Sequence, residues 1–172
     1  MRLPRTLRIP REPDFFIGGR ENPYMRRWWV IPRNRFFNIY LHNILRSDDD
    51  RALHDHPWWS ISIILRGGYI EHTPEGTFVR RMGWIRFRKA TARHRLQLRD
   101  HYSKAHWIDN PAEIGGTIGG RIWHVPLRPA WTLFITGRRV RDWGFHCPKG
   151  WVPWQQFTDP TDSGKIGKGC GE

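Results

Sequence analysis

Cysteine is scarce in this 172-residue chain, which has only Cys147 and Cys170. The two form no CxxC pair and no metal-ligand spacing, which excludes zinc-finger and disulfide-dense scaffolds. Their sequence positions leave open whether they bond, and a reduced, cytoplasmic protein is the default expectation. Long apolar runs are missing too. The longest strongly apolar stretch, residues 61–65, is far too short to cross a bilayer. The opening "MRLPRTLRIPREPDF" lacks the apolar core of a signal peptide, so no membrane role is expected. No stretch keeps a helical period over three turns. Acid is also short: 16 Asp and Glu stand against 29 Lys and Arg, a formal net charge of +13. That surplus admits nucleic acid or another polyanion as a partner. Yet 24 of the 29 cations are Arg, spread along the chain with no basic block or basic-helix motif. An Arg-biased composition produces the same surplus.

What is present is a succession of short strands. Residues 1–35 carry Pro4, Pro10, Pro13, Pro23 and Pro32, which argue against a long helix. This segment reads as an irregular arm that packs on the body through Trp28, Trp29 and Val30. The body, residues 36–158, opens with "RFFNIYLHNIL", whose alternation sets Phe37, Ile39 and Leu41 against Asn38, Tyr40 and His42. Further strands follow at "SISIILRGG", "YIEH", "TFVRR", "GWIRFRK", "HRLQLR", "RIWHVPL", "WTLFITG" and "GWVPWQQF", punctuated by Gly, Pro, Asn or Asp. Many short strands at close spacing predict an all-β sandwich or barrel. Residues 159–172, rich in Gly, read as a flexible tail.

Nine histidines are the most informative feature. His54 and His56 precede an apolar strand, and alternation puts them on one face with Trp58, Ser60, Ser62 and Ile64. Two imidazoles at i and i+2 can point at one centre, and neutral imidazole is a common ligand of Zn, Fe, Cu and Ni. In "HRLQLR", His94 shares a face with Leu96 and Leu98 while the other face is charged. An inward His on an apolar face needs a partner, which a metal or a core hydrogen bond would equally supply. Other residues invite roles. Tyr40 and His42 share a face and are candidate catalytic groups, or the wet side of an ordinary strand. Arg86 and Arg88 share a face with Trp84, but the apolar pair Ile85 and Phe87 on the other side is expected to take the inward positions. Glu71 is a candidate extra carboxylate ligand. His146 and Cys147 lie in a segment that reads as a packed turn.

These residues resemble the two motifs of the cupin superfamily, G-x5-H-x-H-x3-4-E-x6-G and G-x5-P-x-G-x2-H-x3-N. His54, His56, Gly67, Gly83 and His94 fall in register over residues 36–99. The chain departs from the pattern at Asp48 (Gly in the motif), Ser60 (Glu), Lys89 (Pro), Thr91 (Gly) and Leu98 (Asn). The whole chain is similar to small cupin-domain proteins of proteobacteria and their prophages. The resemblance implies a cupin-type double-stranded β-helix, a jelly-roll barrel, holding one divalent metal on His54, His56 and His94. With Ser60 in place of Glu, the set is similar to the three-His sites of thiol dioxygenases. That implies Fe(II), with Mn, Zn, Ni and Cu as alternatives, and an oxygenase of a small organic substrate. A cupin isomerase or lyase using the metal as a Lewis acid is a second version. A non-catalytic binding module, or a phage or prophage accessory protein, is the other class, and the 11 Trp suit a contact surface. The resemblance also implies a homodimer, with the arm as a docking element.

Overall fold

The computed structural model describes residues 11–48, 52–98, 129–161 and 166–171, together with the backbone of three strands within 106–124. The first strands are β1 (Phe15–Ile17), β2 (Met25–Trp29), β3 (Asn38–Ile44), β4 (Leu53–His54) and β5 (Ser60–Arg66). Then come β6 (Gly68–Thr73), β7 (Gly76–Arg81), β8 (Ile85–Arg88), β9 (Arg95–Leu98) and β10 (His106–Ile108). The last are β11 (Gly115–Ile118), β12 (Arg121–His124), β13 (Ala130–Thr136), β14 (Gly144–Cys147) and β15 (Gly150–Pro153), followed by one helical turn, α1 (Trp154–Phe157).

A six-stranded antiparallel sheet has the order β1-β2-β3-β13-β5-β8, and two three-stranded sheets have the orders β7-β6-β9 and β15-β14-β4. The strands β10-β12-β11 pair among themselves. Early strands thus pair with late ones: β5 with β13, β4 with β14, β6 with β9. That return of the chain on itself is the winding of a double-stranded β-helix, as expected. Met25, Ile44, Ile64, Tyr69, Leu96, Leu98 and Ala130 form the buried core cluster, drawn from both the large sheet and the β6–β9 pair. Gly67 and Gly83, the motif glycines, take φ of +73° and +87°. A Cβ on Gly67 would stand 2.7 Å from the Pro129 carbonyl oxygen, so only glycine fits there.

Three expectations are corrected by this architecture. The arm is not wholly irregular: its prolines bracket β1 and β2, which extend the large sheet from β3. Trp28 anchors it, stacked 5.5 Å from Trp131, whereas Val30 is exposed. Cys147 and Cys170 are joined in a disulfide rather than reduced. With Gly167 and Gly169 donating to the Phe157 carbonyl, that bond holds residues 166–171 against α1 and β14. In the segment read as a packed turn, the turn lies at Pro148–Lys149 between β14 and β15, and His146 itself stands on β14. Residues 100–120 read in the sequence as a longer hairpin or a mobile loop, and most of them, with 99 and 125–128, lie outside the described residues.

The large sheet also inverts the expected polarity. Ile85 and Phe87 are 63% and 56% exposed, while Arg88 is buried at 5%. Across the strands, Ile39, Ile135, Ile61 and Phe87 form one outward row, and Leu41, Leu133, Ile63 and Ile85 the next. Inward stand Ser60, Ser62, Thr132, Thr136, His42 and Arg88, all buried.

Candidate metal centre

His54 ends β4, and a two-bond bridge fastens it to His94: each backbone N–H donates to the other's carbonyl at 2.9 Å. The His56 N–H donates to the Ala90 carbonyl at 3.1 Å. Alternation turns the intervening Asp55 the other way, where it is fully buried. Its carboxylate accepts from the Gly144 N–H at 3.0 Å, His146 Nε2 at 3.0 Å and Trp151 Nε1 at 3.2 Å, and pairs with Arg141 at 2.8 Å. The aspartate between the two histidines therefore clamps their strand to β14 and β15.

The three rings meet on the other side. One ligand atom from each of His54, His56 and His94 lies within 4.8 Å of the others, so the group could hold a metal ion. His56 Nε2 and His94 Nε2 are 2.9 Å apart. Two imidazoles bound side by side, with metal–nitrogen distances of about 2.1 Å, have their nitrogens about 3 Å apart, so the donor set fits a small divalent cation. Burial is the main influence on all three rings and lowers their pKa values, His56 well below the usual range and His94 to about 4. The centre is thus held in the neutral form that ligates metal.

Glu71 stands behind His94 rather than beside the other imidazoles. It is completely buried, with Oε1 3.3 Å from His94 Nδ1, on the ring edge away from His56. Arg80 Nε donates to its Oε2 at 2.8 Å, and Arg88 reaches Oε1 through Nε at 2.9 Å and through Nη2. Burial alone would raise the Glu71 pKa, but His94 and Arg88 outweigh it and hold the carboxyl well below the usual carboxylate range. The candidate extra ligand is instead a carboxylate at the far edge of the His94 ring, where a metal-bound imidazole commonly has a carboxylate neighbour, at contact distance but without a well-aligned hydrogen bond. Ser60, at the motif's Glu position, is buried beneath β13 with no hydrogen-bond partner for its Oγ among the described residues.

The histidines open onto a cavity of about 370 Å³. Trp58, Phe134, Trp143, Phe145, Met25 and Ile44 supply much of its apolar wall. Trp58 and Trp143 flank the His56 ring, each 6.5 Å from it. His42 lines the cavity; Tyr40 does not, lying buried beneath the Arg27 guanidinium at 4.8 Å. Arg27, opposite His42 in the β2–β3 register, also lines the cavity and donates from Nε to His42 Nε2 at 2.9 Å. Sequence reasoning missed Arg27, Asp55 and Arg80, and it named Glu71 and Arg88 without pairing them. Only the i+2 relation of Arg27 to the buried Met25 hinted at an inward arginine.

No protein-family model and no curated protein matches the sequence. Among solved structures, the chain is similar to an RmlC-like cupin protein from Ralstonia eutropha, at 13% identity over 81% of this chain and 73% of that one, TM-score 0.46. It is similar also to a Klebsiella pneumoniae protein with a double-stranded β-helix domain, at 11% identity over 76% and 90%, TM-score 0.45. A third is a cupin domain from Bordetella pertussis, at 11% identity over 71% and all of that chain, TM-score 0.38. The strand pairing of the chain itself, and three histidines meeting where the motifs put them, give it the double-stranded β-helix fold of the cupins.

Proposed function

We propose that the protein is a metal-dependent enzyme with a mononuclear three-His centre, acting on a small organic molecule, with Fe(II)-dependent oxygenation as its leading chemistry. The observation that carries this reading is the convergence of three neutral imidazoles, His94 buried and His54 and His56 half-buried, on one wall of a largely apolar cavity. A divalent metal bound there supplies Lewis acidity and, as iron, the redox equivalents for dioxygen chemistry. The chain's own residues do the rest. Glu71 backs the far edge of the His94 ring, and Asp55 fixes the strand that carries His54 and His56. Trp58, Trp143 and Phe134 exclude water and leave a dry space for the substrate body. The expected homodimer belongs to the same reading. The exposed Ile85 and Phe87 support a covered outer face, and a monomeric mass in light scattering removes it.

Metal content by mass spectrometry of freshly purified protein, beside a His94→Ala variant, tests the centre. About one iron per chain, lost in the variant, with oxygen uptake on a substrate screen, is the expected result. Zinc or nickel at the same level keeps the centre and moves the chemistry to Lewis-acid catalysis. No metal after anaerobic reconstitution overturns the proposal and leaves a non-catalytic binding module.

A further inference from the structure

Arg27 is a cation without a counter-ion among the described residues. Its Nε donates to His42, and Tyr40 covers one face of the guanidinium. Among the described residues, no Asp or Glu pairs with it. The other arginine on the cavity wall, Arg88, is neutralised by Glu71. Asp48 is the one carboxylate among the described residues that line the cavity, and it is engaged by the Leu96 N–H at 2.5 Å. His42 cannot share the charge: burial, and then Arg27 itself, push its pKa well below the usual range. Burial also lowers the Arg27 pKa, to about 10, which leaves the guanidinium charged at neutral pH. The cavity therefore presents an unmatched positive charge on a wall shared with three neutral imidazoles. Aromatic and aliphatic side chains make up much of the remainder.

A partly buried charge of this kind is costly unless something matches it. The Nη groups of an arginine form a planar fork that suits the two oxygens of a carboxylate. Arg27 lines the same cavity as His54, His56 and His94, so a ligand held by it shares that space with the three imidazoles. We infer that Arg27 is the anchor for the carboxylate of a small apolar or aromatic monocarboxylic acid, whose body fills the space between Phe134, Trp58 and Trp143. His42 and Tyr40 are then positioning residues: one fixes the Nε edge of the guanidinium, the other its face. This inference rests on the cavity being the functional site proposed above, and it names the class of substrate.

The test uses the full chain after chelator treatment, so that a carboxylate has no metal to bind. Benzoate and its neutral isostere benzamide are titrated by calorimetry and by quenching of tryptophan fluorescence, since Trp58, Trp143 and Trp154 line the cavity. Wild-type protein should bind benzoate at least about tenfold more tightly than benzamide. Arg27→Met should abolish that preference while metal uptake by the reconstituted variant stays at the wild-type level. Arg27→Lys, which keeps the charge without the fork, should retain part of it. Equal binding of the two probes by wild-type protein overturns the inference without need of any variant, as does a preference that survives in Arg27→Met. The two readings fail separately. Metal binding without selective benzoate binding removes the carboxylate anchor alone. Arg27-dependent benzoate binding in a chain that takes up no metal removes the metal centre alone.

Discussion

The two faces of the large sheet carry opposite chemistry, and the unexpected one is the inside. Inward-facing Arg27, His42, Ser60, Ser62, Thr132 and Arg88 are polar or charged. Outward-facing Ile39, Leu41, Ile61, Ile63, Leu133 and Ile135 are aliphatic, continued at the edge by the exposed Ile85 and Phe87. In an ordinary sandwich the apolar face goes in because burying it stabilises the fold. Here the inner face borders a cavity, and its largest polar groups have built partners: Arg88 has Glu71, and His42 has Arg27. Met25, Ile44 and Phe134 also face the cavity, so the inside of the sheet mixes polar and apolar groups while its outside is apolar.

The sharpest way to test that comparison is to break the inner network at Arg88. Arg88→Met keeps much of the volume and removes the charge, leaving the fully buried Glu71 with Arg80 alone and loosening the group behind His94. Removing one partner from a buried ion-pair group costs roughly 3 kcal/mol, read from urea or thermal unfolding of the metal-free protein. Weaker metal retention should accompany it, on the order of tenfold, as for other changes behind a ligating imidazole. Unchanged stability and unchanged metal affinity together would mean that the network neither holds the fold nor orients His94.

A smaller effect follows from His42. Its folded pKa is depressed, chiefly by burial, so below about pH 6.5 the unfolded chain takes up a proton that the folded chain does not. Stability is therefore full above that pH and falls as the pH drops through the window below it, by at most about 1.4 kcal/mol per pH unit for one such group. His42→Gln keeps an acceptor for Arg27 Nε and removes the titration. Unfolding free energies measured at pH 7 and pH 5 should differ less in the variant than in the wild type. An unchanged difference would mean that His42 is already protonated in the folded protein.

The three-histidine cluster was legible in the sequence because it depends on short-range spacing. An i, i+2 pair and an inward histidine at the head of a strand need only alternation and the motif glycines to place them. The double-stranded β-helix was legible for a similar reason, since strand periodicity and turn residues repeat along the chain. What the sequence hid depends on register between distant strands. Arg27 faces His42 only because β2 lies beside β3, and Glu71 meets Arg88 and His94 only once β6, β8 and β9 surround one space. The "IRFR" of β8 reverses the default that puts apolar residues inside for a physical reason: the buried Glu71 carboxylate draws Arg88 inward, and Ile85 and Phe87 are left on the outer face. The disulfide was hidden because 23 positions separate two cysteines that carry no local signal.

The outer face completes the comparison with the smallest effect. Ile85 is the more exposed of the two edge residues, and Thr keeps the β-branched shape that suits a strand while replacing the ethyl group with a hydroxyl. Since most of that side chain is already in water, Ile85→Thr should change the unfolding free energy of the isolated chain by no more than about 0.5 kcal/mol. Arg88→Met, three residues along the same strand, should cost several times that. The comparison is cleanest in a dilute sample, where association cannot contribute to stability. If Ile85→Thr costs as much as Arg88→Met even under dilution, the outer face is as much a part of the folded core as the inner one. The polarity of β8 would then no longer separate the side that holds a ligand from the side that does not.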